Sequence, residues 1–162
     1  MFTRRIMLLA ALAAPSMASL ATLVGATAAR AADPSLHETQ AGRIAVTAVV
    51  TGLSHPWGFA LLGDGSILVN EVEGRMLLVS ADGKTRTEVA GVPEVAASGQ
   101  GGLLDLALAP DFGTSGLLYF TFSEPGPGGA STAAARARLV RSGDGPRLED
   151  VTVIARMAKK TG

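Results

Sequence analysis

In 162 residues, 14 Lys and Arg balance 14 Asp and Glu, aromatic side chains make up 4%, and there is no cysteine. A disulfide scaffold and a cysteine-ligated metal site are thereby excluded, and the lack of any basic block argues against a nucleic-acid partner. The length suits about one domain.

Residues 1–31 read as an export signal. Arg4 and Arg5 make a positive start, Ile6 to Ala14 an apolar stretch, and Ala29-Arg30-Ala31 a small-x-small peptidase site, so cleavage after Ala31 is expected. The string Thr3-Arg4-Arg5-Ile6-Met7-Leu8 also resembles a twin-arginine signal, although the ordinary secretory route needs only the same charges and hydrophobicity. Pro15 and Ser16 interrupt the apolar run before the roughly 20 residues that span a bilayer, which argues against a membrane anchor. Cleavage removes three basic side chains and no acid, leaving a chain near net charge −3. So mild a charge steers the protein neither to DNA nor to an anionic membrane. The expected location is the periplasm or the exterior.

After a lead-in over 32–43, residues 44–162 alternate β-like runs with turn signals. Ile44 to Val50 is rich in Val, Ile and Thr; Gly58 to Leu62, Ser66 to Asn70 and Met76 to Val79 follow, separated by Gly63-Asp64-Gly65 and Glu73-Gly74 and closed by Asp82-Gly83. Short strands joined by Asp-Gly or Glu-Gly are antiparallel hairpins. The Ala-rich run Ser131 to Ala137 has helical propensity, but Gly126 to Gly129 precede it and Leu139-Val140 follow, so it is read as a strand.

The pattern then repeats. Trp57 to Asp64 lies over Leu104 to Asp111 at an offset of 47, with Ala60 on Ala107 and Asp64 on Asp111, and a β-rich run follows each, the second over Gly116 to Phe122. A four-stranded repeat of about 40–50 residues is the signature of a propeller blade. The expected fold is all-β, a partial β-propeller of about two blades, 44–97 and 98–158. A ring needs about 4 to 8 blades, so a chain of this length is expected to be incomplete. A small sandwich of the same eight strands is the alternative.

Chemistry is concentrated at Ser98-Gly99-Gln100-Gly101-Gly102-Leu103-Leu104-Asp105. Three glycines around one amide let the backbone turn sharply and approach a ligand, with Gln100 presenting two donors and an acceptor. A turn whose Gln bonds only neighbouring backbone is the plainer reading. No Lys-Ser/Thr follows, so it is not a phosphate loop. His37 is expected solvated in the lead-in, and His55, before Pro56, in extended backbone. Trp57, the only Trp, is expected in the core between blades. Asp64, Asp82 and Asp111 read as turn carboxylates; Glu71 and Glu73, two apart in a strand, are expected on one solvated face. Neither histidine has metal-ligand spacing, and no metal site is assigned.

The string Leu53-Ser54-His55-Pro56-Trp57-Gly58-Phe59-Ala60, the Asp64-to-Val69 hairpin with Glu71 and Gly74-Arg75, and Gly99-Gln100-Gly101-Gly102-Leu103-Leu104-Asp105 with Pro110-Asp111-Phe112 carry a resemblance. Leu118 to Ser123 and Ala135 to Leu139 continue it. From about Thr47 to Arg156 the sequence resembles the soluble pyrroloquinoline quinone (PQQ)-dependent aldose sugar dehydrogenases, the glucose/sorbosone dehydrogenase family. The resemblance implies a six-bladed periplasmic propeller with the quinone at the top of the channel and calcium nearby. It implies oxidation of an aldose at the anomeric hydroxyl, with a histidine as general base and hydride passing to the quinone. It transfers one active-site residue, Gln100, with Gly101 and Gly102 as its loop. The general-base His, in a His-Phe-Gly-like motif, is expected beyond residue 162, as are the arginines and the calcium sites, so the 162 residues alone are expected to be inactive. The electron acceptor is left open. A non-catalytic propeller module binding a sugar or a protein is the alternative; a lactonase would want carboxylates clustered about a metal.

Overall fold

The computed structural model describes residues 34–158. The expected leader falls outside the described residues. A short antiparallel hairpin comes first, β1 (Ser35–Thr39) and β2 (Gly42–Val46), exposed along both strands and paired with neither larger sheet. The strand expected over Ile44 to Val50 therefore stops at Val46. Its partner is the lead-in itself, with Thr39 Oγ donating to Gly42 O at 2.6 Å across the turn. Val50 instead packs with Leu53 and Ile67 against buried Val69, Leu77 and Val79.

Two four-stranded antiparallel meanders follow, each with strands in chain order. The first is β3 (Pro56–Leu61), β4 (Ile67–Glu71), β5 (Arg75–Val79) and β6 (Arg86–Glu88). Its turns use the carboxylates as expected: Ser66 donates its N–H (3.0 Å) and hydroxyl (2.6 Å) to Asp64, and Asp82 accepts from Ser80 Oγ at 2.6 Å and Lys84 N at 3.1 Å. The second is β7 (Leu103–Leu108), β8 (Leu117–Gly126), β9 (Gly129–Val140) and β10 (Arg147–Arg156), with one helical turn, α1 (Phe112–Ser115), between β7 and β8.

The Ala-rich run is a strand, as read, and its packing explains its composition. In the register of β8 with β9, Leu118 faces Ala137, Phe120 faces Ala135 and Phe122 faces Ala133, all buried. A large side chain beside a methyl fills the layer without overlap. Phe120 and Phe122 tilt together with ring centroids 5.7 Å apart. These residues join Leu62, Leu68, Met76 and Val89 of the first unit in one core shared by the two sheets.

The innermost strands meet where the repeat predicts. A Cβ on Gly58 in β3 would lie 2.9 Å from Asp105 Cα and 2.9 Å from Leu104 O in β7, so only glycine permits this approach. Asp105 is the residue that occupies the place of Gly58 in the second copy. Outward faces decide between sandwich and propeller. Phe59 and Leu61 alternate with Ala60, which packs on the shared core, yet each is 65% exposed; Tyr119, opposite in sense to Leu118 and Phe120, is also exposed. A sandwich turns polar residues outward, whereas blades are apolar on both faces because each has two neighbours. The two sheets are blades of a β-propeller. Among the described residues no helix is long and apolar enough to cross a membrane.

Candidate functional site

The site is built at the end of the blades where β4 turns into β5 and the Gly-rich loop enters β7. That loop is held from both sides. Leu103 N donates to Val72 O at 2.9 Å in the first blade, while Ser123 N donates to Gly102 O at 2.8 Å in the second. Buried Ser123 also accepts from Gly102 N at 3.1 Å through its hydroxyl and from Ala96 N at 2.9 Å through its carbonyl. A Cβ at Gly102 would fall 2.3 Å from Val72 O, so its side chain is forbidden by the neighbouring backbone. Below the loop, Asn70 is fully buried and donates Nδ2 to Leu104 O at 2.9 Å, a further tie between the blades. Asn70 Oδ1 is buried with no hydrogen-bond partner.

The result is an exposed Gln100 on a fixed base. It lines a cavity of about 670 Å³ together with His55, Trp57, Val72, Glu73 and the loop from Ala97 to Gly101. It also borders a second cavity of about 450 Å³, lined from the other blade by Ser123, Ser131 and Thr132. The lining of the larger cavity contains no lysine or arginine.

Three expectations need correction. Trp57 is not buried between these two blades: it is 59% exposed on the cavity wall. The close approach that such a core position would fill is taken by Gly58, and a register shift between Pro56 and Phe59 breaks the alternation that would have turned the indole inward. His55 is not extended: its φ is +39°, in the left-handed region where a non-glycine residue costs about 1–3 kcal/mol. The bonds around it over-determine that conformation, since Val72 N donates to His55 O at 3.1 Å and Ser54 N to Glu71 Oε1 at 2.6 Å.

Glu71 and Glu73 do not share a solvated face. β4 ends at Glu71, and Val72, Glu73 and Gly74 form the turn, so the period of two stops there. Glu71 is fully buried, accepting from Ser54 N and forming an ion pair, without hydrogen-bond alignment, with Arg75, its cross-strand partner. Glu73 is exposed and takes a short hydrogen bond from His55 Nδ1. That bond holds the Glu73 carboxyl below its ordinary value. The sequence reading missed the burial of Glu71; its one signal was the Glu71–Arg75 pairing across a Glu-Gly turn. His37 lies apart in β1, bonded to Ser35 Oγ at 3.0 Å and exposed as expected. Asp111 precedes α1, where its backbone carbonyl accepts from Thr114 N at 2.9 Å, a turn role. Among the described residues no three His, Asp or Glu side chains converge as a metal site.

Comparison with known proteins places these features in a family. The family model for Glucose / Sorbosone dehydrogenase matches residues 53–162. The chain is similar to the aldose sugar dehydrogenase YliI of Escherichia coli K12, 39% identical over 110 residues, 67% of this chain and 29% of that protein. Among solved structures, a glucose dehydrogenase matches at TM-score 0.61 with 45% identity, covering 67% of this chain and 31% of the other. The PQQ-bound aldose sugar dehydrogenase of Streptomyces coelicolor matches at TM-score 0.59 with 32% identity, covering 69% and 33%. The chain spans about a third of the length of these relatives.

Proposed function

The chain belongs to the glucose/sorbosone dehydrogenase family, and on that premise we propose that it supplies two blades to a quinone-dependent oxidation of an aldose at its anomeric hydroxyl. The observation that carries the reading is the Gln100 loop, tied by backbone hydrogen bonds to Val72 of one blade and Ser123 of the other at the wall of a 670 Å³ cavity. An amide so held keeps its donors aimed without reorganising when charge develops nearby.

PQQ, a flat quinone bearing carboxylates, finds a partial fit among these residues. The cavity offers a planar indole, the Gln100 amide and open space at Gly99, where a Cβ would meet nothing within 4 Å. Its lining has no cation for the carboxylates and includes the Glu73 carboxylate, so the quinone side of the site is assigned to Gln100 and Gly101, away from Glu73, with buried Gly102 behind them. When bound, the quinone supplies the hydride acceptor. Calcium gets no such support: the described residues hold no cluster fit to ligate it. The general base is assigned to the histidine of the His-Phe-Gly-like motif that the family resemblance places after residue 162. Turnover is accordingly expected from a chain bearing the remaining blades and not from these 162 residues alone. Export to the periplasm through the leader completes the proposal.

Dye-linked oxidation of aldoses, with quinone and calcium added, tests it. Turnover that requires the quinone and falls at least tenfold in Gln100→Ala is expected from the chain with all its blades. Quinone-independent dye reduction, or none, overturns the reading.

A further inference from the structure

His55 stands out because strain and exposure coincide in it. A left-handed backbone is normally retained where it lets a side chain pack, but the His55 side chain is 78% exposed. What the conformation achieves is aim. It carries the ring to Glu73, in the β4–β5 turn, and both residues line the same cavity as Trp57 and Gln100. Buried Glu71 holds the preceding Ser54 N–H, so the segment cannot relax without exposing a carboxylate.

With Nδ1 facing the Glu73 carboxylate, the tautomer that carries its proton on Nδ1 is the one the contact selects, and that tautomer presents Nε2 as an acceptor. The Trp57 indole, more than half exposed, lines the same cavity. An aromatic plane flanked by planar polar groups of His, Glu and Gln type suits a pyranose, whose C–H face rests on the ring while its hydroxyls bond at the edges. A quinone carboxylate would meet repulsion from Glu73, whereas a neutral sugar would not.

We propose that His55, oriented by Glu73 and flanked by Trp57, is a sugar-hydroxyl acceptor in the cavity, with the pyranose ring seated on the indole. This deepens the oxidation reading and rests on it for the choice of an aldose. His55 and Glu73 act in binding and take no part in the proton transfer at the anomeric centre.

The chain is favourable for the test, since it has one Trp and two His. Titrating the protein with D-glucose should change Trp57 fluorescence and move the His55 ring resonances while leaving those of His37 in place. His55→Asn, which keeps a residue type tolerant of positive φ, and Glu73→Gln should each weaken that response by about fivefold to tenfold. In the enzyme with all its blades they should raise KM by the same factor and leave kcat within about twofold, as loss of uniform binding does. If His55→Asn fails to fold, Glu73→Gln carries the test. Quinone-dependent turnover with KM unchanged in the variants overturns this inference and leaves the oxidation reading standing. A glucose response at Trp57 and His55 with no quinone-dependent turnover in the enzyme bearing all its blades supports the subsite and overturns the oxidation reading. Glucose that moves neither probe overturns the subsite.

Discussion

Substituting Gly102 by Ala tests whether the loop is locked between the blades. The new Cβ would lie 2.3 Å from Val72 O and 2.6 Å from Val72 Cγ1. Ordinary contact begins at about 3.5 Å, so about 1 Å of separation must be found. Neither side yields freely, because Leu103 N–H is bonded to Val72 O at 2.9 Å and Ser123 N–H to Gly102 O at 2.8 Å. Losing one such bond costs about 1 kcal/mol net, and overpacking a tight position about 1–3 kcal/mol. The sum, about 2–4 kcal/mol, lowers Tm by about 7–15 °C for a domain of this size. Thermal unfolding followed by circular dichroism reads it directly. Gly113→Ala is the control, since its Cβ meets nothing within 4 Å and its φ is not positive. A Gly102→Ala protein melting within about 2 °C of that control would refute the locked-loop argument.

Two core substitutions and one titration extend the reasoning. Phe120→Ala empties a nearly fully buried ring position between Ala135 and Leu106 and should cost about 3–5 kcal/mol in urea denaturation. Ala135→Leu pushes about three further heavy atoms towards Phe120 and should cost about 1–3 kcal/mol by the same assay; a neutral result would mean the Phe-Ala complementarity is slack. On acidification, Asp64, Glu73 and Asp82 should lower stability. All three are held below their ordinary values, Asp64 chiefly by Ser66 and then Arg141, Glu73 by His55, and Asp82 by Ser80. Their contribution is present above the unfolded value of about 4 and is lost as pH falls through the folded values, so Asp64→Asn should flatten the acid limb of a stability–pH curve. An unchanged limb would show that its partners do not distinguish folded from unfolded chain.

What could be read from the sequence was whatever local chemistry decides. Asp64-Gly65 and Asp82-Gly83 make turns because a short carboxylate next to a glycine satisfies its own backbone, and no distant group is needed. The strand at 131–137 was legible because alternation with Leu139 outweighed alanine propensity. Trp57 was misread where periodicity breaks, at the irregular pairing between Pro56 and Phe59. Gln100 could be singled out for its glycines, but its fixed base depends on Ser123, more than 20 residues away, which no local pattern announces. The backbone of His55 is likewise set by Val72 and Glu71, and residue-before-proline preference lost to those tertiary bonds.

Glu71 and Glu73 carry the same carboxylate two positions apart, and their surroundings give them different work. Glu71, out of water, accepts from Ser54 N–H and faces Arg75, so its energy goes into holding the 53–55 segment against the β4–β5 turn. Glu73, in water, holds an exposed ring and accepts from Ser54 Oγ at 3.5 Å, attachments screened by solvent and weak by themselves. The His55–Glu73 contact should then depend more on Glu71 than on its own two members. In Glu71→Ala the Ser54 N–H loses its partner, the strained φ at His55 is left to the Val72 N–H bond alone, and the ring should swing away from Glu73 although neither residue is altered. Proton–carbon spectra of the two histidines measure this: the His55 ring signals should move to positions typical of a free imidazole, with those of His37 in the separate hairpin unchanged. His55 signals that stay in place in Glu71→Ala would mean that the surface pair holds itself, and that the buried carboxylate contributes stability alone.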